Sequence, residues 1–310
     1  MRFPDTLVDQ IVRSNVTLFL GDGVASTAGL PGRADLLMPL AAEAGAPPRA
    51  GLLDIAQLYE SKFGRQALLQ KIIDATDTTN FDLANAAFLA PLTQLPVKTW
   101  LTTHYDDLFE RILRQARRSF QLVVRDQDLP YASAEQLTLV KLHGDRTQPV
   151  SLIVTQSDFN NYFRRYELVK KQLASLLVTT TFLFVGYEAD DPALNQLQAE
   201  IGYDLQQHGR WAYALMFEAD ELTRSNLAAS KIQVVTIEEG ADLSRRQLLL
   251  KERLEADLAP LKGRSDGLQS ENAELRSRVD RLRDNVDRMK TLRDELMSNL
   301  SNLKGEPDDE

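Results

Sequence analysis

Val16-Thr17-Leu18-Phe19-Leu20-Gly21-Asp22-Gly23-Val24-Ala25-Ser26-Thr27-Ala28-Gly29-Leu30-Pro31 is the stretch from which the fold is read. Its first five residues form a short apolar run without polar alternation, the pattern of a strand buried on both faces. The glycines that follow permit φ > 0 and let a ligand approach the backbone. A turn from a strand into a helix N-terminus offers amides and a positive dipole end to a pyrophosphate. Taken alone, the turn is also compatible with a ligand-free strand–helix connection.

Working outward, further strands are predicted at Thr99–Thr103, Leu137–Leu142, Leu152–Thr155, Thr180–Val185, Trp211–Met216 and Gln233–Ile237. Helical spacing lies between most of them, as at Tyr105–Arg117 and Asp158–Leu177. This alternation gives the fold class: α/β, a Rossmann-like parallel sheet with helices on both faces. Residues 21–98 are far more than one crossover helix needs. Helical spacing at Arg33–Ala44, Leu52–Phe63, Arg65–Asp74 and Asp82–Leu89 predicts a helical insertion after the first strand, about 33–95. A cleft between sheet and insertion is a natural ligand site.

The chain has 310 residues, no cysteine and a net charge of −9. Disulfides, zinc ribbons and a cysteine nucleophile are excluded, and a cytoplasmic location is expected. The acidic balance disfavours broad nucleic-acid binding. No apolar stretch is long enough to span a membrane, and the first residues do not read as a signal peptide.

All 22 aromatic residues precede Gly240, and 30 of the 70 residues from Ala241 onward are charged. The expected organisation is therefore a globule over 1–240, a connecting helix over 241–260, a coiled coil over 261–304 and a disordered tail over 305–310. Leu261, Leu268, Leu275, Leu282, Met289, Leu296 and Leu303 recur every seven residues, as d positions of a coil. Ser265, Asn272, Val279, Val286, Arg293 and Leu300 fill the a positions; Asn272 is of the register-fixing type and Arg293 weakens the seam. Pro260, Gly263 and Gly267 are expected to interrupt the preceding helix. The seam points to a homo-oligomer through 261–303 or a helical partner protein, with a single solvated helix laid on the globule as the alternative.

Four polar clusters follow predicted strands: Gly21 to Pro31, Thr102 to Asp107, Lys141 to Asp145 and Gly186 to Pro192. In a parallel sheet they project from one edge. Arg111, Arg114, Arg117 and Arg118 read as cations placed against a helix C-terminal dipole.

With these motifs in hand, FLGDGVASTAGLP, WLTTHYDDLFE, VKLHGD, LIVTQSDFNNYF and FLFVGYEADDP, the chain resembles a sirtuin-like NAD-consuming domain over roughly residues 16–236. It looks closer to the bacterial anti-phage branch than to the protein deacetylases, whose four zinc-binding cysteines it lacks. The resemblance implies hydrolysis of NAD, as substrate, to nicotinamide and ADP-ribose, without a zinc module. It casts His143 as general base or orienter of ribose hydroxyls, with His104 and Asp106 as further catalytic candidates. Gly21, Asp22, Gly23, Val24, Ser26, Gly29, Pro31 and Thr103 are implied on the phosphate and ribose side. Gly186, Tyr187, Glu188 and Asp191 are implied on the adenosine side.

The sequence departs from the family pattern. His104 replaces the catalytic asparagine, and a ring cannot copy an amide's paired donor and acceptor. Asp22 stands where a small residue is usual, Ala25 where a hydroxyl is, and Glu188 where serine is common. Two like charges about 4 Å apart, at an effective dielectric of about 20, repel by roughly 4 kcal/mol. NAD affinity is then expected to fall by about 10³ unless a cation or a side-chain rotation intervenes. Two alternatives therefore stand beside the glycohydrolase. One is a pseudoenzyme serving as oligomerising scaffold or sensor. The other is a metal-dependent phosphoester hydrolase using His104, His143 and some of Asp22, Asp106 and Asp145.

Overall fold

The computed structural model describes residues 3–133, 135–186, 210–216, 219, 221–236 and 243–303. It divides into two units, residues 1–262 and 263–310. The first unit contains strands β1 (Val16–Leu20), β2 (Thr99–Thr102), β3 (Phe120–Val123), β4 (Leu137–Lys141), β5 (Thr181–Val185), β6 (Ala212–Met216) and β7 (Ile232–Thr236). They form one sheet in the order β3-β4-β2-β1-β5-β6-β7, and every pairing is parallel. In register, Leu20 pairs with Thr102 and with Val185, and Thr102 pairs with Lys141. Four strand ends thus stand side by side at the carboxyl edge. The chain leaves β1 for β2 on one side and returns after β4 to β5 on the other. This reversal makes the crevice above β1 and β5 the expected ligand position.

Strand β1 is buried throughout, as its unbroken apolar pattern requires. Leu18 and Leu20 pack on one face with Trp100, Leu139 and Leu183, and Phe19 packs on the other with Leu101, Val140 and Phe184. The helices are α1 (Asp5–Val12), α2 (Asp22–Ala28), α3 (Arg33–Leu37), α4 (Leu40–Ala44), α5 (Leu52–Phe63), α6 (Arg65–Ala75), α7 (Leu108–Gln115), α8 (Gln156–Arg165), α9 (Glu167–Thr179), α10 (Glu221–Ala229) and α11 (Leu243–Leu303). The insertion is helical as expected, except that Leu83–Gln94 is a 3₁₀ helix. Its helices α3 to α6 share a third core of Leu37, Ile55, Tyr59, Leu68 and Ile72 with Tyr105, Leu152 and Val154 of the sheet layer.

Leu152–Thr155 is not a strand, contrary to the sequence expectation. The run is fully buried, but side chains take much of its backbone bonding. Arg65 donates to the Leu152 carbonyl at 2.7 Å, Tyr105 donates to that of Ile153 at 2.7 Å, and Asp158 accepts from the Val154 amide at 2.9 Å. An apolar run can thus be buried without a ladder. The reverse miss is β3, a four-residue edge strand too short to show a period. The Asp158–Leu177 helix proves to be two, α8 and α9. Arg111 and Arg118 do not merely face a dipole: they donate to the carbonyls of Thr78 and Phe81, and of Thr93, Leu95 and Val97. They pin the returning end of the insertion.

Helix α11 runs unbroken through Pro260, Gly263 and Gly267, so the expected interruption does not occur. A proline removes one backbone bond at about 3 kcal/mol, and the helix-forming Leu, Arg, Lys and Glu residues around it offset that loss. In the second unit Leu275, Val279, Leu282, Val286, Met289 and Leu296 are 44–63% exposed. Among the described residues, no helix is long and apolar enough to cross a membrane.

Candidate active site

The carboxyl edge brings most of the sequence-derived residues into one bonded cluster. Gly21 and Gly23 follow β1, and Gly186 follows β5. The Gly21 amide donates to the Val185 carbonyl and that of Gly23 to the Gly186 carbonyl, both at 3.0 Å. A Cβ on Gly23 would lie 3.0 Å from Gly186 Cα, so the absent side chain lets the two loops touch. Val24 is buried behind them, its amide bonded to the Gly21 carbonyl at 3.0 Å. Ser26 lies exposed on α2, Gly29 ends α2 with φ 84°, and Pro31 leads toward α3.

Asp22 is not a bare anion. Its Oδ2 accepts the Arg33 amide at 3.0 Å and lies 4.0 Å from Arg33 Nε. Its Oδ1 is 3.5 Å from the Thr103 hydroxyl. The guanidinium of Arg33 also reaches His143 Nδ1 at 3.4 Å and lies over the Phe159 ring at 5.8 Å. Arg33 is therefore the intervening cation. Sequence reasoning missed it, although a carboxylate in a phosphate turn asks for a nearby cation, and Arg33 opens the insertion's first helix.

His143 is fully buried, its ring edge-on to Phe159 at 5.0 Å and tilted against Tyr105 at 6.4 Å. The Arg33 guanidinium only donates, so a bond at this contact requires Nδ1 as the acceptor. Ile153 N donates to the His143 carbonyl at 2.9 Å and holds the loop in place.

His104 is buried between two acceptors. Nε2 donates to the Gly21 carbonyl at 2.9 Å, and Nδ1 faces Asp106 Oδ2 at 3.4 Å, long for a charge-assisted bond. Asp106 also accepts the Leu108 amide at 2.9 Å. Burial pushes the imidazole down, but the bond and charge of Asp106, the charge of Asp22 and the Gly21 carbonyl outweigh it and hold His104 above the ordinary value. Asp106 is raised by burial yet held below the usual range by His104, the Leu108 amide and Lys141. A raised histidine stabilises the fold fully below the ordinary imidazole value, and that gain is lost as pH rises through the native one. Melting temperature is therefore expected to fall over that interval in the native protein and to stay level in His104→Gln. Parallel curves for the two would contradict the assignment.

Tyr187, Glu188 and Asp191 lie outside the described residues. Among the described residues, no group of three His, Asp or Glu side chains forms a metal site. Asp145, one candidate ligand, is instead held by Lys141 at 2.6 Å.

Residues 98–235 match the family model of the SIR2-like domain. The chain is 27% identical over 262 residues to the NAD(+) hydrolase ThsA of Acinetobacter baumannii, covering 78% of this chain and 54% of that protein. It is 30% identical over 213 residues to the NAD(+) hydrolase ThsA of Enterococcus faecium, covering 67% of this chain and 44% of that protein. A shorter match, 26% over 100 residues, covers 31% of this chain and 10% of Defense-associated sirtuin 2 of Bacillus subtilis. The chain thus spans about half the length of the ThsA proteins it matches. With its parallel sheet and its clustered loop residues, the chain carries a match to the SIR2-like domain over residues 98–235 and is similar in sequence to bacterial NAD(+) hydrolases and, over a shorter stretch, to a defence-associated sirtuin.

Proposed function

We propose that the crevice above β1 and β5 binds NAD and cleaves its nicotinamide–ribose bond, releasing nicotinamide and ADP-ribose, as a bacterial defence effector acting in the cytoplasm. The observation that carries this reading is the bonded path from Gly186 through Gly23, Gly21 and His104, and through Thr103, Asp22 and Arg33 to His143. In this reading the path links the turn that would take the phosphates to the histidine that would take the ribose. The names of the ThsA relatives point to the same chemistry.

The leaving group departs neutral from a cationic ring, so the residues need only hold the ribose, favour the oxocarbenium-like transition state and place water. His143, donating from Nε2, orients a ribose hydroxyl. Arg33 offsets Asp22 beside the incoming pyrophosphate. If so, Arg33→Ala weakens NAD binding roughly tenfold to a hundredfold, one to two steps of about 1.4 kcal/mol. Adding Asp22→Asn to that variant restores much of the loss. Calorimetry showing equal NAD affinity in native protein and Arg33→Ala would contradict the assignment.

One observation favours the pseudoenzyme reading. Both ring nitrogens of His104 are engaged, so it offers water neither the donor nor the acceptor of an asparagine amide. NAD bound without nicotinamide release would select a scaffold or sensor.

We propose further that α11 pairs with a second copy over residues 261–303. A seam repeating every seven residues fits a partner helix of the same period, and Asn272 would meet its own copy across it. In the full chain, Leu275→Lys with Leu282→Lys is expected to reduce the assembly to monomers by light scattering. An unchanged mass would place assembly elsewhere, and a native protein already monomeric would leave the seam to another helical protein.

A further inference from the structure

Lys141 is the last residue of β4, and its side chain is wholly buried beneath the crevice. Nζ lies 3.1 Å from the Tyr105 carbonyl, 2.5 Å from the Asp106 carbonyl, 3.1 Å from Glu110 Oε1 and 2.6 Å from Asp145 Oδ2. An ammonium has three protons, so the four acceptors share them. The acceptors come from three places: the loop after β2, helix α7 and the loop after β4. The first loop carries His104 and Asp106; the last carries His143. The Tyr105 carbonyl also accepts the Arg146 amide at 3.0 Å, a second tie between the same loops. Asp145 in turn accepts from the Thr147 amide at 2.7 Å and hydroxyl at 2.5 Å.

We infer that Lys141 is the positioning residue of this site, whose ammonium fixes the loop of His104 and Asp106 against the loop of His143. A packed apolar core could fill the same volume. The Lys141 ammonium draws two carbonyls of one loop and a carboxylate of the other onto a single point. The charge arrangement supports the clamp. Burial works against the charged lysine, but Glu110 and Asp145 hold it above its ordinary value. Asp145 is held low by Lys141 despite burial, whereas burial pushes Glu110 up, its Oε2 being without a partner among the described residues. Asp145 is the principal counter-ion.

The inference rests on the glycohydrolase reading for its kinetic arm alone. Lys141→Met leaves two buried carboxylates uncompensated and risks unfolding. The decisive variant in the full chain is therefore Lys141→Met with Glu110→Leu and Asp145→Asn, which removes the ammonium and both carboxylates bonded to it and keeps an acceptor for Thr147. Its melting temperature is expected to stay close to native, since well-packed apolar replacements of buried ion pairs are often neutral. Its kcat is expected to fall about a hundredfold with KM little changed, the cost of a displaced reacting geometry. Histidine NMR, simple in a chain with three histidines, is expected to show His104 titrating lower as Asp106 drifts away. Asp145→Asn alone, the milder change, is expected to move both readouts part of the way. Native kcat and an unmoved His104 titration in either folded variant would overturn the inference. If the native protein releases no nicotinamide, the glycohydrolase reading fails and the NMR shift alone decides the role of Lys141.

Discussion

Gly186→Ala is expected to destabilise the first unit by roughly 2–5 kcal/mol, combining overpacking with a left-handed alanine. At about 2–4 °C per kcal/mol for a domain of this size, melting would fall by roughly 4–20 °C. Gly186 has φ 62°, and a methyl there would lie 2.4 Å from the Val24 amide nitrogen and 2.8 Å from the Gly23 carbonyl carbon. Both are backbone atoms of the opposing loop, so neither can swing aside. The loops after β1 and β5 must separate, and any ligand that bridges them is lost with their contact. Gly29→Ala serves as the control. It has a comparable φ of 84° but nothing within 4 Å of its Cβ, so its cost is about 1 kcal/mol. Equal melting temperatures for the two variants, measured by circular dichroism, would show that the loops do not meet as described.

His143→Ala is expected to reduce nicotinamide release by about 10² to 10⁴ while the protein stays folded. The ring is enclosed by Phe159, Tyr105 and Arg33 and lies on the loop tied to the loop after β2 through Lys141. Its removal frees Arg33 and opens a cavity, so some loss of stability accompanies the kinetic one. His143→Gln restores a polar side chain of similar reach. Activity regained in His143→Gln would mark the role as hydroxyl orientation, whereas loss in both variants would mark proton transfer. Full activity in His143→Ala would remove His143 from the mechanism.

Much of this architecture was legible because the sheet is parallel and central. Strands covered on both faces read as continuous apolar runs, as at Val16–Leu20 and Thr181–Val185, and their polar ends necessarily share one edge. Insertion helices such as Leu52–Phe63 were visible for the opposite reason: one face packs on the sheet layer and the other meets water. Burial alone misled at Leu152–Thr155, where Arg65, Tyr105 and Asp158 substitute for a neighbouring strand. No local pattern announces such distant side chains. The same limit hid Arg33. Its significance comes from contacts with Asp22, eleven residues earlier, and His143, 110 residues later. The paired state of His104, which substitution of an asparagine could not foretell, likewise depends on a carbonyl 83 residues away.

Incubation of the purified full chain with NAD, followed by separation of the products, tests the proposed activity most directly. The expected result is nicotinamide and ADP-ribose in equal amounts, abolished by His143→Ala. Intact NAD after prolonged incubation, together with no heat of binding at millimolar nucleotide, would contradict it.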